Sequence, residues 1–311
     1  MIALLLVPLV LPFALPPLAR RVVDRIRPET ALWALTSASA ALAVGVLACL
    51  GVLLLPLALS VPAVAGLAHL VHPLDAGPAG PVLGVSVLAG AALAVLCVTG
   101  VRSALSEVRR LRAARLDIAG VPDAGGLCVI DDARPDAYAL PGGRRGADRI
   151  VVTTGMLRAL NPGERGVLFA HERAHLAGRH HLFLAAAQLA GRCHPALAAV
   201  TRHVSFAAER AADEAAARTA GDRTLTAHAV GHAALATTRA RTVRPGFTPG
   251  AVSGPVPARV KALLTHAPAR RLVPALLIVA TVIGLAGGSA LAGAVSVHRG
   301  VEIAQGELPS D

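Results

Sequence analysis

Asn161-Pro162-Gly163-Glu164 opens a helix that carries His171-Glu172-Arg173-Ala174-His175. Asn161 suits a helix cap, Pro162 the first helical position and Glu164 the first turn. A spacing of four residues advances about 400° around a helix, so His171 and His175 share one face, one turn apart. Two imidazole nitrogens can then converge on one metal ion.

Zinc in a hydrolytic site takes three protein ligands and keeps a position for water, whose pKa it lowers to about 7. A second helical stretch, over about 196–220, offers Glu209-Arg210-Ala211-Ala212-Asp213. Glu209 and Asp213 share a face by the same four-residue spacing, so Glu209 can complete the metal set while Asp213 orients a histidine. Glu172 adjoins a ligand but points differently, which suits a base that takes a proton from the bound water and later gives it to the leaving amine. The expectation is one zinc ion per chain on His171, His175 and Glu209, with Glu172 catalytic and Asp213 in support. The competing reading makes the two histidines ordinary residues of an amphipathic helix and the two carboxylates solvated partners of arginines. His180 and His181 are adjacent and cannot share a helical face, and His228 and His232 have ligand spacing but no acidic companion nearby in sequence. These four read as structural residues.

Before this helix the texture is β-prone. Short pieces at Leu127–Ile130, Ala137–Leu140 and Arg149–Thr153, separated by Pro141-Gly142-Gly143 and other turn residues, predict a small antiparallel sheet. After it, a third helix is expected over Arg223–Ala240, then a proline- and glycine-rich linker over 243–256.

The flanks are of another kind. The chain has 311 residues, 54% of them hydrophobic, and a mean hydropathy of +0.61, too apolar for an ordinary soluble domain. Four apolar runs, 2–18, 31–59, 81–101 and 272–295, compare with the roughly 20 residues a spanning helix needs, the first being short and rich in proline. A secretory signal would place basic residues before the first run, whereas Arg20, Arg21, Arg25 and Arg27 follow it, so the run reads as an anchor with its N-terminus outside. These arginines, those of 102–115 and the pair Arg270/Arg271 all fall on one alternating side, expected to be the cytoplasm. The loop 60–80 contains Asp75 and no Lys or Arg, as suits the far side. A small-residue stripe, Gly284, Gly288 and Ala292, predicts close packing of the last span on the others.

The fold class expected is therefore a mostly α membrane protein with about four transmembrane helices and a cytoplasmic α+β zincin-like metallopeptidase domain inserted before the last helix. Residues 1–101 form the N-terminal membrane region, 102–271 the cytoplasmic domain, with 104–116 a charged helix continuing from the third span. Residues 272–296 form the fourth span and 297–311 a short extracytoplasmic tail. A net charge of +11 raises the question of nucleic acid, but aromatics are only 2% and the arginines crowd at membrane boundaries, which argues against it. Cys49, Cys97, Cys128 and Cys193 are scattered and read as unpaired packing residues.

The residues from Ala137 to Asp213, with the membrane layout, resemble a gluzincin membrane peptidase of the BlaR/MecR type, with features of HtpX-like and CAAX-processing proteases. Ala137-Tyr138-Ala139-Leu140-Pro141-Gly142-Gly143 and Ile150-Val151-Val152-Thr153-Thr154-Gly155-Met156-Leu157 are similar to the strand pair those families place before HExxH, where such a strand borders the substrate cleft. The resemblance implies zinc on His171, His175 and Glu209, a base at Glu172 and support from Asp213, the same positions as the spacing. It implies regulatory proteolysis of a protein substrate, a BlaI/MecI-like transcriptional repressor, from a multi-pass enzyme of the cell membrane. HtpX-like quality control of membrane proteins, or a non-catalytic scaffold stabilised by zinc, are the alternatives. HtpX-like enzymes carry a His-Pro-Pro…Arg element after the third ligand, and here Ser253 stands for the histidine while Arg259 fits. The oxyanion role stays open among Tyr138, Arg259 and the cytoplasmic histidines. Direct acylation by β-lactams is not expected, because the only lysine, Lys261, follows Ala258 rather than serine by three residues, and only 298–311 follow the last run.

Overall fold

The chain begins, in a computed structural model that describes residues 7–59, 79–142, 146–240, 255–265 and 284, with a broken apolar segment. Residues 7–10 are helical, Leu11–Ala14 form a 3-10 turn and helix α1 spans Leu15–Val22. Pro8, Pro12, Pro16 and Pro17 interrupt the run expected as a first span, since each lacks a donor for the helical ladder. Instead of one spanning helix, the described part of 2–18 is a series of short helical pieces, with Leu15, and Ala19 just after the run, buried.

Among the described residues, two helices are long and apolar enough to cross a membrane. Helix α2, Pro28–Leu59, and helix α3, Ala79–Asp117, contain the stretches Pro28–Leu55 and Val82–Asp117, in which 18-residue windows reach mean hydropathies of 2.5 and 2.4. The charged segment expected to continue from the third run is the end of α3 itself. Leu88, Val95 and Val98 project from α3 with more than half their surface exposed, leaving an apolar face that the protein itself does not cover. The loop 60–78, the linker from 243 to 254 with Ser253, the fourth run apart from Gly284, and the tail 297–311 lie outside the described residues.

After α3 come β1 (Asp123–Ala124), which sequence patterning does not predict, and β2 (Leu127–Ile130), β3 (Ala137–Leu140) and β4 (Arg149–Thr153), at the boundaries it does predict. Their arrangement differs from the expected antiparallel sheet. The order is β1-β2-β4-β3, with β4 antiparallel to β3 but parallel to β2. The segment after β2 crosses over β4 before β3 begins. It is held there by the Thr153 hydroxyl, which donates to Arg134 O at 2.7 Å and accepts from Asp136 N at 2.9 Å. This places β3 at the outer edge of the sheet. Buried Ile150, Val151 and Val152 make β4 its apolar centre.

Helices follow in close succession: α4 Thr154–Ala159, α5 Pro162–Ala177, α6 His180–Cys193, α7 Pro195–Ala220, α8 Arg223–Ala240 and α9 Val256–Leu264. Asn161 and Glu164 form a reciprocal capping box on α5: Glu164 N donates to the Asn161 side chain at 2.9 Å and Asn161 N to the Glu164 carboxylate at 3.0 Å. Gly221, at φ 68°, ends α7 in a conformation that glycine adopts without steric cost. Along α7, Ala207, Ala208, Ala211, Ala212, Ala216 and Ala217 are buried, and such small side chains let neighbouring helices approach on several sides.

The N-terminal helices share a core with this group. Leu15, Ile26, Leu35 and Leu42 pack in one buried cluster with Leu184, Leu197, Val200 and Val204 of α6 and α7. Full burial of each leucine contributes roughly 1.5–3 kcal/mol. The first half of α2 thus faces protein, while Val44 and Val52 in its second half are exposed.

Candidate metal centre

Helix α5 presents His171 and His175 towards α7, which presents Glu209 and Asp213 back. His171 Nε2 and His175 Nε2 lie 3.1 Å apart. The Glu209 carboxylate reaches both, with Oε2 3.6 Å from His171 Nε2 and Oε1 3.7 Å from His175 Nε2. One ligand atom from each of the three residues falls within 4.8 Å of the others. All three side chains are buried, as is Glu172 between the histidines. Two imidazole nitrogens turned towards each other and towards a carboxylate, away from water, are a donor set that fits a zinc ion.

Asp213 lies behind His171, with Oδ1 3.0 Å from Nδ1. That is the orienting contact which the four-residue spacing from Glu209 predicts. Burial opposes charge on His171, but the hydrogen bonds with Asp213 and Glu209 outweigh it and push its pKa up to about 10. Burial, reinforced by the charge of His171, holds His175 well below the ordinary histidine range.

Two residues join the site that spacing alone did not assign to it. Arg259, on α9, is 1% exposed. Its Nε and one terminal nitrogen donate to the two oxygens of Asp213 at 2.7 and 2.6 Å, and its other terminal nitrogen lies 2.9 Å from Glu209 Oε2. Burial alone would raise the Asp213 pKa, but the guanidinium holds it well below the usual carboxylate range. Burial likewise works against the charge on Arg259, and Asp213 and Glu209 more than compensate. Its position in the element compared with HtpX-like enzymes was the one sequence signal.

His180 is the other, a residue that spacing read as structural and that the fold brings against His175. The chain turns at Arg179, the only described residue other than glycine with a positive φ, at 50°. The turn folds His180 back so that its Nδ1 lies 2.8 Å from His175 Nδ1. Adjacency to His181 hid this, because the argument from helical faces fails where one helix ends and the next begins. Burial lowers the His180 pKa to about 4, with the charges of His171 and His181 behind it.

Among the described residues, His232 has a partner outside the site. His232 Nδ1 lies 2.6 Å from Glu164 Oε1, so it has an acidic companion that sequence proximity does not reveal, and it ties α8 to the cap of α5. A cavity lined by Arg115, Leu140, Pro141 and Arg149 shares no residue with the metal centre.

Residues 105–202 match the model of peptidase family M48. The match runs from the charged end of α3 through the sheet, α5 and α6 into α7, and so contains His171, Glu172 and His175 but stops before Glu209 and Asp213. It supports a metallopeptidase and does not extend to the BlaR/MecR type. Neither a curated protein nor a solved structure matches the chain.

Proposed function

We propose that the protein is a membrane-bound zinc endopeptidase in which His171, His175 and Glu209 hold one zinc ion and Glu172 is the general base. The observation that carries this reading is the convergence of two imidazoles and one carboxylate from two helices into a buried set whose ligand atoms lie within 4.8 Å of each other. Bound zinc would lower the pKa of water and polarise the scissile carbonyl. The Glu172 carboxylate takes the proton of the attacking water and returns it to the leaving amine. Asp213 fixes the ring of His171, and Arg259 fixes the carboxylates of Asp213 and Glu209. Strand β3, at the sheet edge, is where an extended substrate segment would lie, since an outer strand offers backbone groups for pairing.

The substrate in this reading is a protein at the cytoplasmic face, and the activity is regulatory proteolysis of a repressor-like partner. The helices α2 and α3 hold the enzyme in the bilayer. Two spans return the chain to the side it started from, so the segment before α2 and the catalytic residues lie together on the cytoplasmic side, in place of the outside N-terminus expected from three spans. The second reading, quality control of membrane proteins in the HtpX manner, is favoured by Arg259, which meets both carboxylates of the site.

The purified chain in detergent should bind one zinc per molecule and cleave casein, losing both on chelation. Zinc uptake without any cleavage would favour a non-catalytic scaffold, and absence of zinc uptake would overturn the proposal. Crosslinking of the Glu172→Gln protein to its clients in cells should recover one regulator under the first reading and many membrane proteins under the second.

A further inference from the structure

The two histidines of the metal centre are supported in unlike ways. His171 has a carboxylate behind it, Asp213 at 3.0 Å. His175 has another imidazole, His180, at 2.8 Å. The difference bears on which nitrogen of His175 carries its proton.

A neutral imidazole has one N–H and one bare nitrogen, and the bare one is the donor to a metal. The nitrogen of His175 that faces His171 and Glu209 is Nε2, so a ligand role requires the proton on Nδ1. Two nitrogens 2.8 Å apart share one proton, one donating and the other accepting. If His175 Nδ1 donates, His180 Nδ1 is bare and its own proton sits on its Nε2. We propose that His180 is a positioning residue which accepts the Nδ1–H of His175, fixing the tautomer and ring orientation that leave His175 Nε2 open towards the metal. The inference rests on the zinc reading given above.

The local backbone is built for this contact. Five residues on a continuous helix would turn His180 away from His175, by about 500° of rotation. The left-handed Arg179 breaks the helix and brings the ring back, edge-on to His175 with centroids 4.8 Å apart. A left-handed residue other than glycine costs about 1 kcal/mol or more, so it persists only where the surroundings enforce it. Gly178 then leaves the room the ring needs: a Cβ there would stand 2.5 Å from His180 Nε2 and 2.7 Å from Cδ2. His180 is 5% exposed. A packing role alone would be met by any ring of similar size, whereas this role needs an acceptor at the δ position.

That distinction sets the experiment, a measurement of zinc affinity by chelator competition on the full chain in detergent. His180→Phe keeps the ring and removes the acceptor, and should weaken zinc binding about 10- to 100-fold. His180→Asn, with an oxygen near the position of Nδ1, should recover most of the loss. Gly178→Ala pushes the imidazole off His175 and should weaken zinc when His180 is present but add nothing in the His180→Ala background, where neither the Nε2 nor the Cδ2 atom that meets the new Cβ remains. Unfolding temperatures of the chelated proteins separate this from a folding defect, and if His180→Phe does not fold, the two Gly178→Ala comparisons decide. Zinc affinity equal to wild type in folded His180→Phe, or in Gly178→Ala where that comparison decides, would overturn the inference and leave the zinc reading standing. A wild-type chain that takes up no zinc would overturn both.

Discussion

Arg259 grips Asp213 through two hydrogen bonds of 2.7 and 2.6 Å across 46 residues of sequence. The pair is sealed from water, and the same guanidinium reaches Glu209. Removing it leaves two carboxylates buried without their cation, which costs about 3–5 kcal/mol. Arg259→Met should lower the unfolding free energy by that margin, measured by denaturant unfolding. Arg259→Lys should rescue little, because an ammonium cannot span both oxygens of Asp213 and Glu209 together. A stability unchanged by Arg259→Met would show that the contact carries no weight.

The same pair sets an acid limit. Because the folded Asp213 pKa lies below its ordinary value, the contribution of its charge is present above the unfolded pKa of about 3.9 and is lost as pH falls through the depressed folded value. Asp213→Asn should therefore flatten the acid limb of the stability curve below about pH 4, measured by denaturant unfolding at each pH. An acid limb of unchanged slope would contradict this.

Glu172→Gln keeps size and hydrogen bonding but cannot accept a proton. Zinc content should stay at one per chain while casein cleavage falls at least about 100-fold, the usual contribution of a general base. Parallel measurement of metal and turnover on one preparation decides it, and near-normal turnover would remove Glu172 from the chemistry.

Asn161→Ala removes one arm of the capping box that starts α5. A loss of about 0.5–2 kcal/mol is expected in thermal unfolding, with zinc affinity nearly unchanged because the ligands sit two turns or more along the helix. A large loss of zinc affinity would show that the cap also sets the ligand register.

Leu88 and Val95 on α3 are 71% and 61% exposed. If this face meets lipid, the wild-type chain should stay in the membrane pellet after alkaline extraction. Leu88→Lys with Val95→Lys, each costing about 2.5–3.5 kcal/mol at a span centre, should release it or prevent insertion. Retention of the double variant would argue that α3 packs against protein instead.

Much of the metal centre was legible in the sequence because helical periodicity is a local rule. Four residues between His171 and His175, and between Glu209 and Asp213, put each pair on one face whatever the rest of the chain does. The capping residues of α5, the extents of the strands and the helix Arg223–Ala240 are local in the same sense. Strand pairing is not. That β4 runs parallel to β2 depends on a crossover held by Thr153, a contact between segments whose composition carries no mark of it. The tertiary structure alone decided that Leu15 and Ala19 of the N-terminal segment share a core with α6 and α7, and that Glu164 serves both a cap and His232. It also brought Arg259 to two carboxylates, and turned the chain at Arg179 so that His180 reaches His175. Each of these joins groups through space after the chain has changed direction, and a periodicity argument ends wherever a helix does.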